Sequence, residues 1–218
     1  KTPAGSGAIK VFMMGGGSAH DCEKWFHQAD KAILLEGGLA DPVYSGKAEE
    51  TARLLPHADV LYQSANHELP ASARQAILDH VAAGKGVVLL HAGIWYNWRD
   101  WPEYNRELCG GGSRGHDRLG PFTVHVTEAG HPVMKGVPAS FEIVDEHYWF
   151  EPDPKGTPIK VLATARSKQK DKDYPMVFVV EHPKARIVAI ALGHDDKAHN
   201  LPAYQTLLRN AVAWAAGK

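Results

Sequence analysis

Short apolar runs alternate with segments of helical period through the first half of the chain. Residues 8–14 (AIKVFMM), 41–44, 58–63 (ADVLYQ) and 86–90 (GVVLL) are bounded by glycine or polar residues and predict strands, mostly buried. From Asp21, a helix N-cap residue type, to Glu36, the spacing places Trp25, Phe26, Ala29 and Ile33 on one helical face, and Gly37-Gly38 stops it. Residues 47–55 predict a short helix. Pro70 sits in the first turn of another, whose apolar face is Ala73, Ile77 and Val81 and which runs as far as Gly84. Strands alternating with helices of this size predict a parallel sheet covered on both faces.

The second half has a different rhythm. Residues 122–127, 140–144, 159–163, 176–180 and 186–192 predict further strands, joined by turns rather than long helices. Residues 102–108 predict a short helix, and 202–216 a closing one with Leu207, Leu208, Val212 and Trp214 as its apolar contacts. Residues 110–120 read as an irregular glycine-rich loop and 168–173 as a solvated charged loop. The expected architecture is one α/β domain spanning 1–218, with residues 1–7 a loose tail. It is a three-layer fold of the flavodoxin-like kind, with a mostly parallel central sheet and extra antiparallel strands in its second half.

Composition narrows the chemistry. With 218 residues, 22% charged and a net charge of -1, the chain offers no broad electrostatic surface for nucleic acid or an anionic membrane. No apolar run approaches the roughly 20 residues that span a bilayer. The two cysteines fit either redox compartment. A start at Lys1 followed by small residues tilts the expectation toward an exported protein, periplasmic or secreted after loss of a signal peptide, with the cytoplasm as the alternative. The unusual feature is 13 histidines, the commonest metal ligands and the usual acid/base groups near neutral pH.

Several histidines sit where chemistry is done. In open α/β sheets, ligands bind outside the carboxyl ends of the strands. His20 follows the first predicted strand, His67 and Glu68 the third, His91 closes the fourth, and His194 follows residues 186–192. His116-Asp117 lies in the glycine-rich loop, offering a ligand or an acid/base pair. In Asp145-Glu146-His147-Tyr148, strand alternation separates Asp145 and His147 from Glu146 and Tyr148, so all four reach one pocket only through a bend. His131-Pro132 and His182-Pro183 read as turns. No Gly-x-Ser-x-Gly elbow and no His-Glu-x-x-His helix is present, and Cys22 and Cys109 fall in loops. Any metal site is therefore assembled from distant segments.

Four stretches carry a family resemblance: LLHAGIWYNW, GGGSRGHD, AGHPVMKGVPASFEIVDEHYWF and IVAIALGHDDKAHNLPAYQTLLRNAVAWA. On these the chain resembles the ThuA-like (trehalose utilisation) proteins, which have the class I glutamine amidotransferase-like fold. The family's recurring polar positions fall on His20, His91, His116, Asp145, Glu146, Tyr148 and His194, and His147 stands where the family more often has an aliphatic residue. Amidotransferases of this fold carry a cysteine nucleophile at the turn occupied here by His91-Ala92-Gly93, so thioester chemistry on glutamine is not expected.

The resemblance implies a carbohydrate-processing protein that cleaves glycosides or disaccharides, 3-keto sugars included, by metal-assisted acid/base elimination or hydrolysis. It implies catalytic roles for His91, His116, Glu146 (as base) and His194, and sugar contacts from Trp95, Trp98, Tyr148 and Asp145. A divalent ion such as zinc would be held by His20, His91 and His116, with no nucleotide or organic cofactor. The expected partner is a small sugar, not nucleic acid or membrane; assembly stays open, a homodimer included. Two alternatives stand beside this: a non-catalytic carbohydrate-binding protein, and a zinc-type hydrolase of another substrate.

Overall fold

The computed structural model describes residues 7–96 and 100–218. β1 (Ile9–Met14) leads through a glycine loop into π-helical turns Glu23–Ala29, which run on into α1 (Asp30–Leu35). Asp21 caps this segment, its Oδ1 accepting the Lys24 N–H at 3.0 Å. β2 (Ala40–Ser45), α2 (Thr51–Leu54), β3 (Val60–Gln63), α3 (Ala71–Ala82) and β4 (Gly86–Leu90) complete the alternating half. After a short π-helical stretch, Tyr104–Cys109, come β5 (Gly111–His116), β6 (Gly120–Val126), β7 (Ser140–Asp145), β8 (Tyr148–Pro152), β9 (Ile159–Ser167), β10 (Lys172–Val180) and β11 (Ile187–Ile190). α4 (Asp196–His199) and α5 (Pro202–Ala215) close the chain.

The main sheet runs β2-β1-β3-β4-β11-β10-β9-β6-β7. The first five strands are parallel; β10, β9, β6 and β7 then continue antiparallel. This is the mostly parallel, three-layer sheet expected, with its antiparallel extension. Strand order reverses between β1 and β3: the β1-to-β2 crossover moves one way along the sheet and the β3-to-β4 crossover the other. Right-handed crossovers then place α1 and α3 on opposite faces. In keeping with this, α1 packs against α5 and α2 against α3. Every residue of β3, β4 and β11 is buried, so these central strands are continuous apolar runs. The crevice at the switch point, above the carboxyl ends of β1, β3 and β4, is the binding position of such sheets.

The structure differs from the sequence reading in two places. Residues 111–116 are not loop but β5, paired antiparallel with β8 in a separate two-stranded sheet. The glycines there hid a strand because they serve close backbone packing: a Cβ on Gly111 would lie 2.2 Å from the Glu151 carbonyl oxygen. Lys172 and Asp173, read as loop, belong to β10, which pairs along its length with a β9 that reaches Ser167. Between β7 and β8 the chain bends at Glu146–His147 and passes from the main sheet to the two-stranded one.

Candidate functional site

Five side chains converge above the carboxyl ends of the parallel strands, with Glu146 at their centre. Its Oε2 lies 3.2 Å from His194 Nδ1, 3.4 Å from His91 Nε2 and 3.6 Å from His20 Nε2. Its Oε1 lies 3.7 Å from His116 Nε2. His20 comes from the loop after β1, His91 from the end of β4, His194 from the loop after β11, His116 from the end of β5 and Glu146 from the β7–β8 bend.

His91 is held in a sharp turn. Its φ is 39°, a conformation uncommon for a residue with a side chain. The next turn residue but one must be glycine, since a Cβ on Gly93 would lie 2.4 Å from the Gln63 carbonyl oxygen. The fully buried His91 ring has Nδ1 2.6 Å from the Ala191 carbonyl oxygen, to which it donates, and it stacks on Tyr148 with centroids 4.2 Å apart. That donation fixes the tautomer of a neutral ring and leaves a lone pair on Nε2 aimed at Glu146. His116 is oriented likewise, Nδ1 donating to the Asp117 carbonyl at 2.8 Å. Asp117 is itself anchored by Ser167, Trp149 and the Lys168 N–H.

Asp145 builds the floor. It is fully buried, and its carboxylate accepts the N–H groups of Gly193 at 2.8 Å, His194 at 3.0 Å and Glu146 at 2.8 Å. It is not among the residues that line the cavity beside the cluster, and it ties down the backbones of Glu146 and His194.

The electrostatics centre on the carboxylate. Burial alone would raise the Glu146 carboxyl; contacts from His194, His20 and His91 outweigh that and hold it well below the usual range. Burial pushes His20 down, against the pull of Glu146. Contact with Glu146 raises His194 despite its burial. Burial, then the charges of Glu146 and Asp145, keep the Tyr148 hydroxyl protonated far above its ordinary value.

The donor set suits a divalent cation. His91 Nε2 and His194 Nδ1 are buried with no aligned hydrogen-bond partner. Lone pairs facing a carboxylate need a proton or a cation between them. His20, His91, Glu146 and His194 bring one ligand atom each to within 4.8 Å of one another. Ligand atoms on a tetrahedron with bonds of about 2.0–2.1 Å stand roughly 3.3 Å apart, close to the separations around Glu146 Oε2. Three imidazoles and a carboxylate are a zinc-type set. Of the expected triad, His20 and His91 lie in this group, together with Glu146 and His194, while His116 faces the other carboxylate oxygen.

A cavity of about 220 Å³ opens beside this cluster, lined by His20, Asn66, Trp95, His116, Glu146 and Tyr148, with Ala19 and Ala92. The Trp95 ring meets Tyr148 edge-on at 5.2 Å and lies 6.0 Å from His116. Trp98, the other aromatic assigned to the sugar, lies outside the described residues. Trp101 packs into the core against Tyr104. His67 faces the carbonyl oxygens of Glu68 and Gly15 and does not line the cavity.

Comparison with known proteins agrees with this picture. The sequence matches the family described as ThuA, trehalose utilisation, over residues 10–215.

The chain belongs to the ThuA family.

Its fold is that of solved ThuA-like proteins from Parabacteroides merdae (24% identity, TM-score 0.80, covering 97% of this chain and 91% of that one) and Bacteroides uniformis (21%, 0.79, 99% and 95%). The glutaminase domain of Trypanosoma brucei CTPS, solved with bound acivicin, shares the fold at 13% identity and TM-score 0.55, over 95% of this chain and 94% of that one. No protein of curated function matches the sequence. The ThuA domain thus has the class I glutamine amidotransferase-like fold, with His91 in the turn after β4. Cys22 and Cys109 are buried free thiols, both pushed up by burial, and neither stands at that turn. No helix among the described residues is long and apolar enough to cross a membrane.

The sequence reading missed Asn66 and the alanines of the cavity wall. Asp117 was visible only as half of His116-Asp117; its burial depends on Ser167 and Trp149, far away in the chain. Ala19 and Ala92 carry no chemical signal at all.

Proposed function

We propose that this ThuA domain cleaves a glycosidic bond next to a keto-bearing sugar ring, by acid/base elimination assisted by a divalent cation. The observation that carries it is the convergence of four histidines on Glu146 beside a small, aromatic-walled cavity. The family's description as trehalose utilisation supplies the substrate class. At about 220 Å³ the cavity is smaller than the roughly 300–1,000 Å³ of drug-sized sites, which suits one sugar ring.

His20, His91, Glu146 and His194 would hold the ion. A divalent cation bound there would supply Lewis-acid chemistry toward a ketone oxygen, making the neighbouring C2 proton more acidic. His116 is then the group free to move protons. With Nδ1 committed to Asp117, its Nε2 accepts the C2 proton, and Glu146 Oε1 at 3.7 Å favours the imidazolium that results. The C2 electron pair forms the C1=C2 bond as the C1–O bond breaks, and the imidazolium returns its proton to the departing oxygen. Water adding across C1=C2 completes a net hydrolysis. Trp95 and Tyr148 offer apolar faces to the ring. Glu146, assigned as base from the resemblance, is better placed as ligand and as partner of His116.

A 3-keto disaccharide deuterated at C2 tests this. The expected outcome is cleavage with loss of the label to solvent. Cleavage with the label retained would replace elimination by direct hydrolysis, and no cleavage by the zinc-loaded protein would overturn the proposal.

A further inference from the structure

Behind the site lies a second buried polar cluster with no part in proton transfer. His199, at the end of α4, and Asp30, at the start of α1, are both fully buried. His199 Nδ1 is 2.6 Å from Asp30 Oδ1, and Nε2 is 2.9 Å from the Gly193 carbonyl oxygen. Asp30 Oδ2 also accepts the hydroxyls of Tyr62 at 2.5 Å and Tyr204 at 2.9 Å. Trp25 stacks on the His199 ring, while Phe26 and Tyr204 pack around it.

Both partners of the His199 ring are acceptors. A carbonyl never donates, and a carboxylate whose other oxygen already takes two phenolic hydroxyls only accepts, so with Asp30 ionised each ring nitrogen brings a proton. The ring is then an imidazolium paired with a carboxylate, in the interior. Burial opposes the charge, but the charge and hydrogen bond of Asp30, with the Gly193 carbonyl, raise His199 above its ordinary value. A buried ion pair is costly unless its geometry and remaining hydrogen bonds are good; here Asp30 has three donors and His199 two acceptors.

The peptide it grips is the one before His194. Gly193 has a φ of +127°, a glycine conformation. Its N–H is held by Asp145 and its carbonyl by His199, while Asp145 also holds the His194 N–H. We infer that His199 and Asp30 form a buried imidazolium–carboxylate clamp that sets the Gly193–His194 turn and so aims His194 at Glu146. His199 is a positioning residue: it touches the turn, not the cavity. The clamp also ties α1, α4, β3 and α5 to the site through Asp30, His199, Tyr62 and Tyr204. That it tunes cation binding rests on the functional reading above; the clamp itself does not.

The test therefore has two arms. In metal-free wild-type protein, nitrogen-15 NMR of His199 should show protons on both ring nitrogens at pH 7. A single ring proton, with the other nitrogen accepting from a protonated Asp30, would overturn the imidazolium assignment whether or not any variant folds. In His199→Gln, amide exchange at Gly193 and His194 should quicken by at least ten-fold while β4 and β11 stay protected; unchanged exchange at the turn would overturn the clamp. In the second arm, zinc alone is titrated. His199→Gln should weaken zinc binding by about 10–100-fold, and the effect should vanish in a His194→Ala background. An equal loss in that background would refute action through His194. Absence of zinc binding by the wild type would refute the cation reading while leaving the first arm's result intact.

Discussion

At His91 the two ring nitrogens have separate duties. Nδ1 donates to Ala191, which locks the ring, and Nε2 faces Glu146. His116 repeats the arrangement from a different strand, with Asp117 as its anchor. The difference between them lies in which carboxylate oxygen they meet, and in the proposed function it separates ion binding from proton transfer. Replacing His116 by asparagine should lower kcat about 10²–10⁴-fold while leaving zinc affinity near the wild-type value, as read by metal titration beside steady-state kinetics. An equal loss of zinc would place His116 among the ligands after all. His20, His91 and His194 were legible in the sequence because each closes or follows a predicted strand, whereas His116 was legible only as half of His116-Asp117 in a glycine-rich loop. Their division of labour was not, because it depends on a tautomer fixed by a carbonyl 100 residues away in the case of His91. Asp145 shows the opposite limit. A carboxylate beside site residues reads as a ligand contact, yet here its oxygens are consumed by buried backbone N–H groups, which is where such donors must find partners.

Among the elements, the turn after β4 and the bend after β7 do most to build the site. The turn brings His91 over the sheet only because Gly93 lets the chain pass close to the end of β3. Alanine at Gly93 would set a Cβ 2.4 Å from the Gln63 carbonyl, a backbone clash that no rotamer relieves. The expected cost is about 1–3 kcal/mol, or roughly 2–4 °C of Tm for each kcal/mol in a chain of this size. Calorimetry of Gly93→Ala with a Tm unchanged from wild type would show that the turn has more room than the packing implies. The central parallel strands β3, β4 and β11 were readable because each is a short run buried throughout. β5 and β8 were not: glycine and polar residues conceal a strand whose register is set by its partner rather than by a buried face. The same pairing carries His116 to the cavity, so the least legible element holds the residue proposed to move protons.

Over the whole molecule, the parallel strands deliver three of the histidines from their carboxyl ends, and the antiparallel second half wraps back to add His116 and Glu146. The fold thereby closes a site at a switch point where no sulfur nucleophile stands, and sequence resemblance sufficed to recognise that fold from the stretches around His91, the β7–β8 bend and the final helix. In the proposed function this site acts on a keto sugar with the help of a cation. That reading is tested most directly by measuring sugar release from a 3-keto disaccharide and from its unoxidised parent, side by side, with zinc-loaded and chelator-treated protein and with His91→Ala. The expected outcome is rapid cleavage of the keto sugar alone, lost on chelation, regained with zinc and at least roughly 100-fold slower in His91→Ala. Cleavage of neither sugar, or undiminished cleavage by the chelated protein or by His91→Ala, would contradict it.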